Sequence, residues 1–386
     1  MASPERPAVR LNLAPGPSQL LDGMAEAAAR YLASGEAGLN HRSPEFTERM
    51  ELLERRLRDA LALPADFSLY FVSSATYAME LGVRNLVRRR TAALRLGAFS
   101  ERFASVAALT GRQVETFSLE PGTSLPSWLE AHPGRTTRDF FAAPAWQEAE
   151  AWLLCHNETA TGTALPLELL PPPDDDAPLR LVDCVSSAGA QRLPWERADL
   201  WFFSVQKAFG CPPGLAVILA GPRARVRAAE LEAEGRDTGA WFSFARLEDN
   251  ARRHQSPCTP NSLGLVLLLE AAARLGSEGL ERVETRVRAL RDACQAWLAA
   301  HPLLMPAVPC AADRSLTVTA LRRRDGAPLG GLVRRLRARG VVVGGGYGDW
   351  REGSLRLAHF PAHVPEDLRQ VQDEIDDLLL SHGEDA

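Results

Sequence analysis

The chain has 386 residues, of which 46% are hydrophobic and 24% are charged, and this is enough to bury the cores of two or three domains. Its formal net charge of −5 predicts neither a nucleic-acid partner nor an anionic membrane partner. The sequence begins without a charged segment followed by an apolar run, and its apolar stretches are short, so we expect neither a signal peptide nor a membrane span.

Short β-rich segments alternate with helical segments between residues 68 and 220. The predicted strands are 68–73, 151–156, 179–185, 200–204 and 215–219, and a helix is predicted at 75–88. Continuous apolar runs of this kind are typical of a sheet that is covered on both faces. The pattern therefore indicates an α/β domain.

The pattern changes after residue 261. Helices are predicted at 263–275, 280–300, 329–339 and 365–381, and strands at 315–320, 341–343 and 354–358. We therefore expect an N-terminal segment at 1–15, a large α/β domain at 16–261 and a smaller α+β domain at 262–386.

The six cysteines are scattered, which is typical of reduced, buried residues in a cytoplasmic protein. Their spacing predicts no metal site. The triple glycine at 344–346 is not flanked by a strand and a helix in the pattern of a dinucleotide-binding motif.

Only one of the 44 basic residues is a lysine, Lys207; the other 43 are arginines. Arginine can replace lysine at a surface, but it cannot act as a nucleophilic amine because its guanidinium does not deprotonate. Lys207 also lies in an apolar run, 200–210, where desolvation lowers the pKa of an amine. These features favour a Schiff-base lysine over an ordinary lysine retained by chance.

A lysine in this role predicts a pyridoxal-phosphate site, which needs further groups around it. Asp183 closes the run 179–183 of a predicted strand, at the edge where α/β sheets place their ligands. Ala75 and Thr76 begin a predicted helix, whose free N–H groups can bind a phosphate. Arg356, a charge inside a strand pattern, suits a carboxylate clamp. The ordinary alternatives are a turn residue, a simple helix cap and a structural ion pair.

Five motifs in order resemble the class-V aminotransferases of fold type I. They are residues 74–76, 156–159, 183–187, 204–207 and 259–260. The resemblance runs nearly end to end. It implies pyridoxal phosphate as cofactor, a large domain whose mostly parallel seven-stranded sheet lies between helices, and transamination between a small L-amino acid and a 2-oxo acid.

The resemblance also implies a role for each matching residue. Lys207 is the Schiff-base lysine and proton shuttle, Asp183 pairs with the ring nitrogen, and Thr159 donates to the ring 3′-oxygen. Phe99 takes the ring-stacking position, and Arg356 binds the substrate α-carboxylate. The implied phosphate contacts are Ala75, Thr76, Gln206 and, from the second subunit of a homodimer with shared sites, Thr259.

Two branches of the family compete. Residues 13–18 and 157–159 are similar to phosphoserine aminotransferases, whereas residues 206–214 are closer to alanine–glyoxylate and serine–pyruvate aminotransferases. The first branch implies O-phospho-L-serine and 2-oxoglutarate as substrates, a role in serine biosynthesis, and substrate binding by His41 and Arg42. A lyase such as a cysteine desulfurase is a weaker alternative, because residues 340–356 contain no cysteine. The matching residues Asp183, Thr159 and Lys207 argue against a non-enzymatic protein built on this fold.

The sequence departs from the phosphoserine branch at two places. Thr76 stands where an arginine is usual, and Asp349 and Trp350 stand near the position of a His-Arg pair. The substitutes for the missing cations that we consider, besides His41 and Arg42, are Arg252, Arg253, His254 and Arg351. Side-chain specificity is therefore the open question.

Overall fold

The computed structural model describes residues 8–174 and 176–380, except for the side chain of Asp349. The α-helices are α1 Met24–Ala33, α2 Pro44–Leu61, α3 Ala75–Leu86, α4 Ala98–Leu109, α5 Leu125–Ala131, α6 Thr137–Phe141, α7 Pro144–Gln147, α8 Pro222–Ala233, α9 Phe244–Ala251, α10 Ser262–Glu278, α11 Leu280–Ala300, α12 Gly330–Ala338 and α13 Pro365–Leu380. The strands are β1 Leu11–Leu13, β2 Ser68–Val72, β3 Arg90–Arg95, β4 Gln113–Ser118, β5 Ala151–Cys155, β6 Asn157–Glu158, β7 Thr163–Ala164, β8 Leu179–Asp183, β9 Leu200–Ser204, β10 Ala216–Ala220, β11 Leu304–Pro306, β12 Val318–Arg323, β13 Val341–Gly345 and β14 Ser354–Ala358.

Seven strands form the large sheet, in the order β2-β10-β9-β8-β5-β3-β4. β10 is antiparallel to both of its neighbours, and the other pairs are parallel. This confirms the predicted mostly parallel seven-stranded sheet. The parallel strands β8 and β9 end at Asp183 and Ser204, so both residues lie at the carboxyl edge, where α/β sheets bind ligands.

Alternating side chains of the central strands belong to two different cores. Leu153, Leu181 and Phe202 pack with residues of α3, α4, α8 and α9, whereas Trp152 and Val182 pack with residues of α1, α2 and α10. The sheet is therefore covered by helices on both faces, which explains why its strands are continuously apolar.

The smaller sheet has the order β1-β13-β14-β12-β11. β1 pairs in parallel with β13, with Leu11 opposite Val341, so the beginning of the chain joins the carboxyl-terminal sheet. α10 contributes Leu265 and Leu268 to the same core as α2. The boundary after residue 261 stays a prediction. No helix in the described ranges is long and apolar enough to cross a membrane.

Most predicted element ends agree with the structure to within three residues. β8 ends at Asp183 because the Asp183 carboxylate accepts the N–H of Val185 at 2.9 Å. This hydrogen bond turns the chain away from the sheet. β12 begins at Val318 rather than at Ser315, because the Ser315 hydroxyl accepts the N–H of Thr317 and of Val318. The prediction did not include β3, β4 or α2.

Candidate active site

Lys207 follows β9 and is 5% exposed. Its Nζ donates a hydrogen bond of 2.8 Å to Oγ1 of Thr159 and lies 5.1 Å from the ring centroid of Phe99. Burial lowers the pKa of the amine to about 8, against the opposing effect of Asp183. Gly16 makes room for the lysine, because a Cβ there would lie 2.8 Å from its Cε. The amine therefore exchanges a proton close to neutral pH.

Asp183 and Lys207 line the same cavity, which has a volume of about 170 Å³. The carboxylate is buried, and burial raises its pKa to about 6, although the N–H of Val185 and the charge of Lys207 act in the opposite direction. β8 lies between β5 and β9, so this carboxylate stands in the middle of the carboxyl edge. The structure thus brings together the two residues predicted to be catalytic.

A buried hydrogen-bond network orients Thr159. Its hydroxyl donates to Oγ of Ser186 at 2.9 Å, and Ser186 donates to the carbonyl oxygen of Asn157 at 2.9 Å. The amide of Asn157 donates to Oγ of Ser186 at 2.7 Å and to the hydroxyl of Thr317 at 3.0 Å. Thr317 immediately precedes β12, so the network links the two sheets at the site.

Phe99 lies in the first turn of α4, and its position depends on Glu158. The fully buried carboxylate accepts the N–H groups of Phe99 and Ser100 and the hydroxyl of Ser100, at 2.9–3.2 Å. A negative charge is favourable at a helix N-terminus. Gly97 permits this approach, since a Cβ there would lie 2.7 Å from Cγ of Glu158. No role was predicted for Glu158 from the sequence. The feature that could have indicated one is its place between Asn157 and Thr159, inside the motif 156–159.

The beginning of α3 suits an anion. Ser74 caps α3 by accepting the N–H of Tyr77, which leaves Ala75 and Thr76 at the positive end of the helix dipole. Ser204 and Gln206 line the same cavity as these residues. Their side-chain oxygens are buried without a hydrogen-bond partner in the described part of the chain. Buried polar atoms of this kind require a partner, and the phosphate and polar ring of pyridoxal phosphate fit this cavity.

Ser204 was not among the predicted site residues. The available signal was a hydroxyl at the last position of an apolar strand, three residues before the lysine.

Arg356 reaches the site from β14 of the small sheet. Its Nη1 donates to the carbonyl oxygen of Thr159 at 2.9 Å, and its Nε donates to that of Gly345 at 2.8 Å. Burial lowers its pKa to about 10, so it remains a cation at neutral pH. Thr159 therefore contacts Lys207 through its hydroxyl and Arg356 through its carbonyl group.

Four predicted residues do not line the cavity of their own chain: Arg356, which contacts it through the carbonyl group of Thr159, and His41, Arg42 and Thr259. Arg42 donates to the side chains of Gln255 and Asn250, and the ring of His41 lies against Phe46. Thr259 borders a separate cavity between α2 and α10.

The alternative cations lie elsewhere. Arg252 and Arg253 pair with acidic side chains of α9, and His254 pairs with Glu54. Arg351 is exposed, and the side chain of Asp349 lies outside the described part.

Comparisons with known proteins identify the family of this chain. The family model described as aminotransferase class-V matches residues 13–347. The phosphoserine aminotransferase of Nocardioides sp. is 28% identical over 365 residues, which cover 94% of this chain and 93% of that protein. The phosphoserine aminotransferase of Corynebacterium glutamicum is 26% identical over 366 residues, with coverage of 94% and 93%.

Solved structures show the same fold. A phosphoserine aminotransferase from Cytophaga hutchinsonii superimposes with a TM-score of 0.85 at 26% identity, covering 96% of this chain and 99% of that one. An alanine–glyoxylate aminotransferase from Nostoc sp. superimposes with a TM-score of 0.79 at 23% identity, covering 98% and 97%. The chain belongs to the class-V aminotransferases, and it is a pyridoxal-phosphate-dependent enzyme that moves an amino group between an amino acid and a 2-oxo acid.

Proposed function

We propose that this aminotransferase acts on O-phospho-L-serine and 2-oxoglutarate, in serine biosynthesis. The contact of Thr159 with both Lys207 and Arg356 carries the proposal, because it sets a carboxylate clamp beside the amine that moves the α-proton. The relatives named phosphoserine aminotransferase, which align over more than 90% of both chains, support this choice of substrates. The lyase alternative has no such support.

Each side chain has a defined part in the proposal. Pyridoxal phosphate supplies an electron sink for the α-carbon of the amino acid. Nζ of Lys207 accepts and returns the α-proton, for which a pKa near neutrality is best suited. Asp183 holds a proton on the ring nitrogen, and Arg356 orients the α-carboxylate. Ala75, Thr76 and Gln206 bind the phosphate, and Phe99 covers the ring.

The proposal includes a homodimer with shared sites. Thr259, His41 and Arg42 would serve the site of the partner subunit, which is consistent with their lying outside the cavity of their own chain. A cytoplasmic location is also part of the proposal. All six cysteines are free, which is consistent with a reducing compartment. The expectation that all six are buried is wrong for Cys258, which is exposed, and for Cys310, which is half-buried.

An absorbance titration of the cofactor-loaded enzyme tests the substrates. L-Phosphoserine, L-glutamate, L-alanine and L-serine are added separately, without a 2-oxo acid, and the visible band of the lysine-bound cofactor is followed. Loss of the band with phosphoserine and glutamate is expected. Loss only with alanine or serine would transfer the enzyme to the alanine–glyoxylate branch, and no loss with any of the four would refute the proposal. Lys207→Arg is the control, since it leaves no lysine in the chain.

A further inference from the structure

Arg102 lines the same cavity as Lys207, and no role was predicted for it from the sequence. It lies on α4, one turn after Phe99, and its Cζ is 5.2 Å from the centroid of the Phe99 ring. Lys207 Nζ lies 5.1 Å from the same ring. Arg102 and Lys207 therefore contact the same ring and line the same cavity.

Arg102 differs from neighbouring arginines in its partners. Arg95, at the end of β3, forms an ion pair with Glu101 at 2.9 Å. Among the carboxylates whose side chains the structure describes, none forms an ion pair with Arg102. Nη2 of Arg102 donates a hydrogen bond of 2.9 Å to the phenol oxygen of Tyr347. The phenol is neutral, and the Asp183 carboxylate, whose pKa the charge of Arg102 lowers, forms no ion pair with it, so the guanidinium fork is open to an anionic ligand.

Tyr347 connects Arg102 with the carboxylate clamp. Its ring stacks on Phe99, with centroids 5.5 Å apart and an interplanar angle of 12°. Cζ of Arg356 lies 5.7 Å from the centroid of the Tyr347 ring, and Arg102 binds the phenol oxygen of the same side chain. Two guanidinium groups thus flank one tyrosine. An amino acid with anionic groups at both ends matches this arrangement.

We propose that Arg102 is a specificity-determining residue that binds the anionic side-chain group of the substrate, a phosphate or a carboxylate, while Arg356 binds the α-carboxylate. This inference rests on the proposed function and names the residue that would carry its selectivity. It also addresses the departure in the sequence, since Thr76, Asp349 and Trp350 supply no positive charge where the phosphoserine branch usually carries cations. The guanidinium fork matches the oxygen geometry of both anions.

The test measures the concentration of each amino acid that half-converts the visible band, for wild type, Arg102→Gln, Arg102→Lys and Tyr347→Phe. A charge-assisted contact corresponds to a change of about 10- to 100-fold. We expect Arg102→Gln to raise this concentration for phosphoserine and glutamate by that factor, with alanine little changed. Arg102→Lys should restore part of the difference, because it retains the charge but not the fork.

Tyr347→Phe removes one hydrogen bond of Arg102 but keeps its guanidinium, so its effect on the same donors should be smaller than that of Arg102→Gln. Two results would overturn the inference while the enzyme remains folded. An effect of Arg102→Gln on the cofactor dissociation constant, or equally on all donors, would assign Arg102 to the cofactor. If the proposed function itself were wrong, the wild type would show no preference for donors with an anionic side chain, which distinguishes that case from a wrong assignment of Arg102. A wild-type preference that survives Arg102→Gln would refute this inference alone.

Discussion

The amine of Lys207 donates its 2.8 Å hydrogen bond to Thr159, a residue 48 positions earlier in the chain. The carbonyl of Thr159 accepts Nη1 of Arg356 from the other sheet. One residue in the segment that follows β5 therefore links two groups, the amine that we propose to react and the guanidinium that we propose to bind the substrate carboxylate. Because Thr159 is itself held by Ser186, this link depends on a buried network rather than on a mobile loop.

The pH dependence of cofactor uptake tests the environment of Lys207. Burial lowers the pKa of the amine from an ordinary 10.5 to about 8. The reactive free amine forms as the pH rises through the folded-state pKa, so uptake of pyridoxal phosphate by the apoprotein should accelerate with pH and level off above about pH 8. Absorbance kinetics at a series of pH values measure this, and a midpoint near 10.5 would contradict the structure. Lys207→Arg should not form the visible band of the lysine-bound cofactor at any pH.

Replacement of Asp183 by asparagine tests the carboxylate at the carboxyl edge. A neutral amide does not hold a proton on the ring nitrogen, so turnover should fall by about 100- to 1000-fold, the usual effect of removing one electrostatic contact at a reacting centre. Steady-state kinetics with saturating cofactor measure the effect.

The matched control is Asp199→Asn. Asp199 is also buried, but it immediately precedes β9, at the opposite edge of the sheet, and accepts the N–H of Arg180. This control should lower the melting temperature and leave turnover unchanged. Equal losses of turnover in the two variants would remove the special role of Asp183.

Glu158→Gln tests how Phe99 is positioned. The glutamine would present an NH₂ group to the backbone and hydroxyl donors that the carboxylate now accepts, so about 2–3 kcal/mol of stability should be lost. Cofactor affinity should fall as well, because Phe99 moves with the helix terminus. Thermal unfolding of the apoprotein and a cofactor titration measure the two effects.

Glu101→Gln provides the comparison in the same helix. Glu101 is exposed and pairs with Arg95, so its loss should cost at most about 1 kcal/mol and leave cofactor affinity unchanged. If Glu158→Gln behaved like this surface variant, the assigned role of Glu158 would be wrong.

Ser204→Ala tests the unpartnered hydroxyl in the cavity wall. If Ser204 contacts the cofactor, its loss should raise the dissociation constant of pyridoxal phosphate by about tenfold, equivalent to one hydrogen bond. The melting temperature of the apoprotein should stay constant or rise, because an unpaired buried hydroxyl is removed.

Ser187→Ala is the reciprocal control for the hydroxyl. The Ser187 hydroxyl is hydrogen-bonded to Nδ1 of His156, so the loss of this hydrogen bond should destabilise the apoprotein. A constant cofactor affinity in Ser204→Ala would show that its hydroxyl stays unpaired in the loaded enzyme.

The sequence alone identified the parts of the site that depend on local pattern. Lys207 was recognisable because an amine cannot be replaced by a guanidinium, and Asp183 because it ends an apolar strand. The buried strands of the large sheet were predictable because their apolar runs are continuous. β3 and β4 were missed: β3 carries arginines at both ends, and most of β4 is exposed or half-buried.

Only the tertiary structure decided which distant residues meet. β1 joins the small sheet by pairing with β13, more than 300 residues later. The contacts of Glu158 with α4 and of Arg102 with Tyr347 likewise join segments that no local periodicity relates. Hydrophobic pattern fixes which face of an element is buried, but the partners of a polar side chain depend on how whole elements pack. The proposed Schiff-base lysine and the residues that match the family motifs were therefore predictable from the sequence, whereas the contacts of Glu158 and of Arg102 required the tertiary structure.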